Sequence, residues 1–294
     1  VEFLPRSEIL TFEEIERVTR VACLLGVRKV RITGGEPLVR RNVTDLVARL
    51  ARLPELEEIA LTTNGLLLAD HAVALKEAGL DRLNISLDSV RPEVFGQWTR
   101  RDVLPRVLEG IDAALQAGFD PIRLNALAVR GLTENEIGPL VRFARSKSLE
   151  LRFIEFMPID GDQMWERDSV LTGAEIRRRL EAEFGKLSER PRRDPAQPAR
   201  DYVLPDGTRI GLICSVSEPF CEACNRLRLT AEGQLRNCLF STTSWDIRHL
   251  LRSGASDASL MEMMRQCIRA KKRGHGTDDP TMLRPDLAMY QIGG

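Results

Sequence analysis

Apolar positions along the first half of the chain alternate between two rhythms, three-to-four spacing and short continuous runs, the marks of helices and buried strands. Thr11-Phe-Glu-Glu14 forms a capping box, in which hydroxyl and carboxylate satisfy opposed backbone donors. Ile15, Val18, Ala22 and Leu25 then share one side of a helix that Gly26 stops. Val27–Thr33 reads as a strand, broken by Gly34-Gly-Glu-Pro37. The rhythm predicts a helix over Val43–Arg52, a strand over Glu58–Thr62, a helix over Ala69–Ala78 and a strand over Arg82–Ser86. It continues with a helix over Pro105–Ala117, a strand over Ile122–Arg130, a helix capped by Thr133 and Glu136, and a strand over Glu150–Phe156. Strands alternating with helices predict a parallel α/β sheet.

Polar or glycine-containing loops follow the strands: Thr63-Asn64-Gly65, Leu87-Asp88-Ser89, Met157-Pro158. In a β/α barrel such ends gather on one face, where chemistry usually sits. Each is equally a plain turn, since Gly, Asn and Asp are turn formers.

The rhythm changes after a helix capped by Thr172 and Glu175. Ser188–Arg200 is rich in proline and mixed charge and reads as a mobile loop. Short strands follow over Asp201–Leu204 and Thr208–Cys214, around a Pro205-Asp-Gly207 turn. A helix over Ser259–Lys271 precedes an aperiodic tail ending in Gly293-Gly294. The expected division is residues 1–160 and 161–294.

Composition adds limits. The 294 residues suit one barrel-sized domain or two, and 43% hydrophobic residues supply a sizeable core. Lys plus Arg and Asp plus Glu both number 43, so global charge points to neither nucleic acid nor an anionic membrane. No apolar run approaches the ~18 residues of a membrane span. Six unevenly spaced cysteines do not resemble a disulfide framework. Val1–Arg6 resembles neither a signal peptide nor a usual start, and the chain is read as beginning inside a domain of a cytoplasmic protein.

The chemistry concentrates in Cys221-Glu-Ala-Cys-Asn-Arg-Leu-Arg-Leu-Thr230 and Cys238. A C-x-x-C turn presents two sulfurs to one centre, and a third thiol completes a set suited to zinc or to an iron–sulfur cluster. For zinc the fourth ligand would be Cys214, but its apolar run reads as a buried strand in which a cysteine is packing. Arg226 and Arg228 beside the thiols suit an anion as well as a metal. Taken singly, Gly35 reads as a turn, Met157 as core filling and Arg31 as a solvated strand-end charge.

Thr33-Gly-Gly-Glu-Pro37, Ser86-Leu-Asp88, the Cys221–Thr230 segment with Cys238, and the final Gly-Gly together resemble the GTP 3′,8-cyclase family of radical S-adenosylmethionine enzymes. The resemblance runs from about Leu10 to Gly294. It implies an incomplete TIM-like (β/α) barrel, lacking its first strand here, followed by a smaller α+β domain carrying an iron–sulfur site. It implies conversion of GTP to (8S)-3′,8-cyclo-7,8-dihydroguanosine 5′-triphosphate, a lyase step in molybdenum cofactor biosynthesis. By the same resemblance, Cys221, Cys224 and Cys238 hold a 4Fe–4S cluster; Gly35, Ser86 and Met157 contact S-adenosylmethionine; Arg31, Thr62, Arg123, Arg226, Leu227 and Arg228 contact GTP. The Gly-Gly tail would reach the same site. The implied partners are GTP, S-adenosylmethionine, an electron donor and a downstream cyclic pyranopterin monophosphate synthase, with a homodimer allowed.

Two departures stand out. Arg123 replaces a lysine of the family's K-x-N pattern, keeping the charge but not an ammonium's geometry. The family's C-x-x-x-C-x-x-C triplet, which holds a second 4Fe–4S cluster, has no counterpart; the only cysteine before Cys214 is Cys23, in the first helix. The expectation is that the first strand, that cluster loop and one GTP-binding arginine are missing, and that these 294 residues alone perform no radical chemistry. The competing readings are another radical S-adenosylmethionine enzyme with an auxiliary cluster, and a non-catalytic nucleotide- or zinc-binding remnant.

Overall fold

The computed structural model describes residues 4–159, 165–192, 194–272, 274 and 289–292. The Gly293-Gly294 expectation lies outside them. In chain order come α1 (Phe12–Leu24), β1 (Lys29–Ile32), α2 (Val43–Leu50), β2 (Glu58–Thr63), α3 (Leu68–Glu77), β3 (Arg82–Ser86), α4 (Pro92–Thr99), α5 (Leu104–Gln116), β4 (Arg123–Ala128), α6 (Ile137–Ser146) and β5 (Glu150–Glu155). Then follow α7 (Gly173–Phe184), β6 (Ser188–Glu189), β7 (Arg200–Val203), β8 (Arg209–Ile213), β9 (Arg228–Leu229), β10 (Gln234–Arg236), β11 (Trp245–Asp246), α8 (Ile247–Arg252) and α9 (Asp257–Arg269). Among the described residues no helix is long and apolar enough to cross a membrane.

The chain forms two compact units. The first comprises residues 1–61, 74–81 and 225–294, the second residues 62–73 and 82–224. They interleave along the sequence, whereas the linear division expected at residue 160 follows chain order.

In the first unit, α1 starts as the sequence predicts. The Glu14 N–H donates to Thr11 Oγ1 at 3.1 Å and the Thr11 N–H to the Glu14 carboxylate at 2.7 Å. Val18, Val21 and Ala22 are buried against Leu235 of β10, Ile247 and Leu251 of α8, and Leu260, Met264 and Cys267 of α9. The first and last helices thus share one core, and each fully buried aliphatic side chain there contributes roughly 1.5–3 kcal/mol. Arg17 and Asp257 pin the two helices at the surface, 2.8 Å apart. β1 and β2 pair in parallel from Lys29–Glu58 to Ile32–Leu61. The short antiparallel sheet β11-β10-β9 and helix α8 are not legible in the hydrophobic rhythm.

The second unit holds a mostly parallel sheet in the order β3-β4-β5-β8-β7-β6, the last two strands antiparallel. β8 continues the sheet in parallel on β5, through Leu151–Ile210 to Ile154–Ile213. Helices α6 and α7 lie against β5. The Ser188–Arg200 segment, expected as a loop, begins as strand: β6 pairs with Tyr202 and Val203, and the Arg190 N–H donates to the Asp201 carbonyl at 2.8 Å.

The Thr133–Glu136 cap does not form. The Thr133 hydroxyl donates to the Leu127 carbonyl at 2.6 Å and accepts from the Val129 N–H at 2.8 Å. Glu136, fully buried, accepts from Ser89 Oγ at 2.6 Å and from Arg91. Both side chains are drawn to the strand end and to α4's lead-in, so a 3₁₀ turn over Glu134–Glu136 precedes α6 instead. Helix α4 itself, opened by Pro92 at its first turn, was not expected from the sequence.

Candidate functional site

Successive strand residues face opposite sides of a sheet, and in the second unit the two sides differ sharply. One side carries Leu83, Ile85, Leu124, Ala126, Ala128, Leu151 and Phe153, all buried. The other carries Asn84 and Ser86 of β3, Arg123 and Asn125 of β4, Glu150 and Arg152 of β5, and Arg209 of β8. Register sets these in rows: Asn84, Arg123 and Glu150 are lateral neighbours, and so are Ser86, Asn125 and Arg152. Toward the carboxyl ends Leu127, Ile154 and Ile213 make this side apolar, and the polar patch that remains inside a parallel sheet is more than packing requires. It is the second unit's candidate site.

Ser86 lies exposed at the carboxyl end of β3 and Arg123 two residues down the neighbouring strand, on the same face. Asn84 Nδ2 donates to Thr62 Oγ1 at 3.3 Å, which brings Thr62 to that face as well. Met157 is half-buried just past β5. Arg123 is 2.6 Å from Glu150, and Arg209 is 3.1 Å from the other oxygen of that carboxylate. Arg152 is nearly buried, and its ion pair is a distant one with Asp201 at 3.8 Å. Burial, then the neighbouring Arg123, pulls its guanidinium down to about 10. Two carboxylates, Glu150 and Asp201, among three guanidiniums leave this group with a net positive charge, of the kind that suits phosphate-like anions. Arg152 was not singled out from the sequence, where it is one charge in an apolar strand.

Two buried or half-buried carboxylates were also missed as site supports. Glu155, at the end of β5, accepts from the backbone N–H groups of Gly173, Val216 and Ser217, each at 2.8 Å, and from the Ser217 hydroxyl. It ties the strand end beside Met157 to the segment leading to Cys221. Asp88 accepts from Trp98 Nε1 at 2.8 Å and from the Leu127 N–H at 2.6 Å, and burial raises its pKa. Their donors come from other segments; Asp88 is visible in the sequence only as part of Ser86-Leu-Asp88, and no local signal marks Glu155.

Cys221 and Cys224 close the second unit; the Cys224 N–H donates to the Cys221 carbonyl at 3.1 Å, a tight C-x-x-C turn. Both thiols are half-buried. In the first unit lie Arg31 and Gly35, both exposed, and Arg226, Leu227, Arg228 and Cys238, all partly buried. A Cβ built on Gly35 meets nothing within 4 Å, so the fold itself makes no demand for glycine there. Leu227 packs its side chain on the first unit's core. Arg228 begins β9, opposite Arg236. The Phe240 N–H donates to Cys238 Sγ at 3.5 Å.

The remaining cysteines differ. Cys23, Cys214 and Cys267 are buried, and none of the six is in a disulfide. Burial pushes Cys214 up to about 12 and Cys267 up to about 11. A Cβ on Gly173 would lie 2.2 Å from Cys214 Sγ, so that thiol is sealed beneath α7 and is no fourth ligand. Among the described residues no three His, Cys, Asp or Glu side chains form a ready metal cage. Taken each in its own unit, the other three thiols have donor chemistry that suits an iron–sulfur centre: they are unbridged and half-buried, and Cys238 accepts an amide hydrogen bond of the kind that tunes cluster sulfurs.

Similarity to known proteins covers the whole chain. A GTP 3′,8-cyclase from Rhodopirellula baltica is 50% identical over 298 residues, spanning 100% of this chain and 83% of that protein. The chain belongs to the GTP 3′,8-cyclase family. GTP 3′,8-cyclases from Streptomyces coelicolor and Corynebacterium glutamicum are 43% and 46% identical over 100% of this chain, and 87% and 81% of theirs. The family descriptions agree: Radical SAM superfamily over residues 2–144 and Molybdenum Cofactor Synthesis C over residues 149–277. Among solved structures, Streptococcus suis SuiB bound to precursor peptide SuiA matches 59% of this chain and 38% of its own, at 20% identity and a TM-score of 0.49, too partial a likeness to add to this.

Proposed function

We propose that this chain acts as a GTP 3′,8-cyclase in molybdenum cofactor biosynthesis, binding GTP and S-adenosylmethionine. The observation that carries this reading, beside family membership, is the cationic polar patch of the second unit's sheet. Radical formation from S-adenosylmethionine would need the second cluster, whose C-x-x-x-C-x-x-C ligands these 294 residues do not carry, so the roles assigned to them are binding and orientation of the two ligands.

The chain's own residues bind and orient. Arg123 offers its guanidinium to phosphate, with Arg152 and Arg209 beside it; a triphosphate supplies the negative charge that Glu150 and Asp201 leave unmatched. Thr62 accepts from Asn84, which leaves its hydroxyl proton to donate to the nucleotide. By the family resemblance Arg31, Arg226 and Arg228 are further GTP contacts, and Leu227 contributes through its backbone, its side chain being packed on the core. Ser86 hydrogen-bonds the ribose or carboxylate of S-adenosylmethionine, Met157 lays its thioether on the adenine, and Gly35 lets backbone groups approach the methionyl end. Cys221, Cys224 and Cys238 would hold a 4Fe–4S cluster, which with three thiolate ligands would offer a Lewis-acidic iron to the substrate.

On the same reading the parallel strands belong to an incomplete TIM-like barrel over residues 1–160, followed by a cluster- and GTP-binding domain over 161–294; the matched ranges, parting between 144 and 149, support a two-part division. The protein is cytoplasmic, draws electrons from a separate donor, passes product to a cyclic pyranopterin monophosphate synthase, and can pair as a homodimer. The test is calorimetric binding of GTP and ATP to the chain loaded anaerobically with iron and sulfide. GTP binding that exceeds ATP binding and weakens in Arg228→Ala supports the reading; equal binding of the two nucleotides contradicts it.

A further inference from the structure

In the first unit, Arg226 and Cys238 stand on the two prongs of one hairpin, and a single lysine spans them. Strand pairing of β9 with β10 ends at Arg228 and Arg236. The next residues outward are Leu227 and Asn237, then Arg226 and Cys238. Beyond the ladder Lys271, just past the end of α9, bridges the two prongs. Its ammonium donates to the Arg226 carbonyl at 2.9 Å and to the Asn237 carbonyl. Asn237 is buried, and its Nδ2 donates to the Cys267 carbonyl at 2.9 Å, so the Cys238 prong is also pinned to α9.

A neutral donor would serve to bridge two carbonyls. Placing a half-buried ammonium there costs desolvation, and both carbonyls belong to the segment that carries the third thiol and a triphosphate-binding cation. Positive charge near an iron–sulfur cluster favours its reduced, more negative form. We propose that Lys271 is a positioning residue of this segment: it sets the separation of Arg226 from Cys238, and its charge raises the reduction potential of the centre held by Cys238. The inference rests on the reading of Cys238 as a cluster ligand.

The test compares the full chain with Lys271→Gln, Lys271→Arg and, as a surface control, Lys272→Met, each loaded anaerobically with iron and sulfide. Three quantities are read: reduction potential by electron paramagnetic resonance titration, GTP affinity by calorimetry, and Tm. The Gln amide can still donate to both carbonyls but carries no charge. Lys271→Gln is expected to move the potential negative and to weaken GTP binding by about tenfold, while Lys271→Arg and Lys272→Met stay near the parent. Iron uptake lost in Lys271→Gln and kept in Lys271→Arg also supports the role. Potential and GTP affinity unchanged in Lys271→Gln overturn it, whatever the Tm does. A parent chain that takes up no iron and sulfide overturns the cluster reading, and this inference with it.

Discussion

Cys23, Cys214 and Cys267 sit inside packed cores, while Cys221, Cys224 and Cys238 lie half-buried on a turn and beyond a strand end. Burial raises the pKa of each of the first three, so they stay protonated and inert at neutral pH. The second three have water at hand, and Cys238 has an amide donor on its sulfur. Six residues of one type thus divide by environment into sealed packing groups and accessible thiols, the latter being those proposed to hold the cluster. Counting cysteines would have suggested Cys214 as a ligand; the atoms around it exclude that.

The largest effect expected from this contrast is all-or-none. Changing Cys221, Cys224 or Cys238 to Ser abolishes iron and sulfide uptake, while Cys214→Ala keeps it and loses only stability. Iron retained in Cys238→Ser, or lost in Cys214→Ala with the fold intact by circular dichroism, breaks the division.

A graded effect comes next. Arg228→Ala weakens GTP binding by roughly 10- to 100-fold, the loss of one charge-assisted contact, with iron content unchanged. Calorimetry on iron-loaded protein reads this, and a parallel loss of iron would mean that Arg228 supports the thiols rather than the nucleotide.

Thiol reactivity sharpens the comparison without mutation. In metal-free folded protein near pH 8, Cys221, Cys224 and Cys238 alkylate quickly and the buried three only on unfolding, as peptide mass mapping over time shows.

The smallest effect involves no thiol directly and gives a baseline. Glu175 is held down to about 2, first by the Thr172 hydroxyl and then by Arg130. Its folded value lies below the ordinary 4.5, so its contribution is present above that pH and fades as the pH falls toward 2. The pair is solvent-screened, which limits the contribution to about 1 kcal/mol or less. Glu175→Gln therefore lowers Tm slightly at neutral pH and flattens its decline between those two values.

Much of the fold is legible in the sequence because its signals are local. Thr11–Glu14 and Thr172–Glu175 form the capping boxes their spacing promises, and the five strands through Glu155 fall where the apolar runs lie. Thr133 and Glu136 carry the same spacing and fail, because Arg91 and Ser89 claim the carboxylate from far along the chain. The same limit hides Glu155, whose donors at Gly173, Val216 and Ser217 come from two other segments. The short strands β9–β11 span two or three residues each, too few for a period to register. Of the site, the cysteine spacing and paired arginines are visible as motifs; the cationic patch of Arg123, Arg152 and Arg209, spread over two adjacent rows, exists only once register aligns three strands.

The most direct test is a count of iron, acid-labile sulfide and zinc per chain after anaerobic reconstitution, on the parent and on the Cys221/Cys224/Cys238→Ser triple variant. About four irons and as many sulfides on the parent, absent from the triple variant, are the predicted result. Zinc without sulfide on those three thiols, or iron that survives their removal, contradicts it.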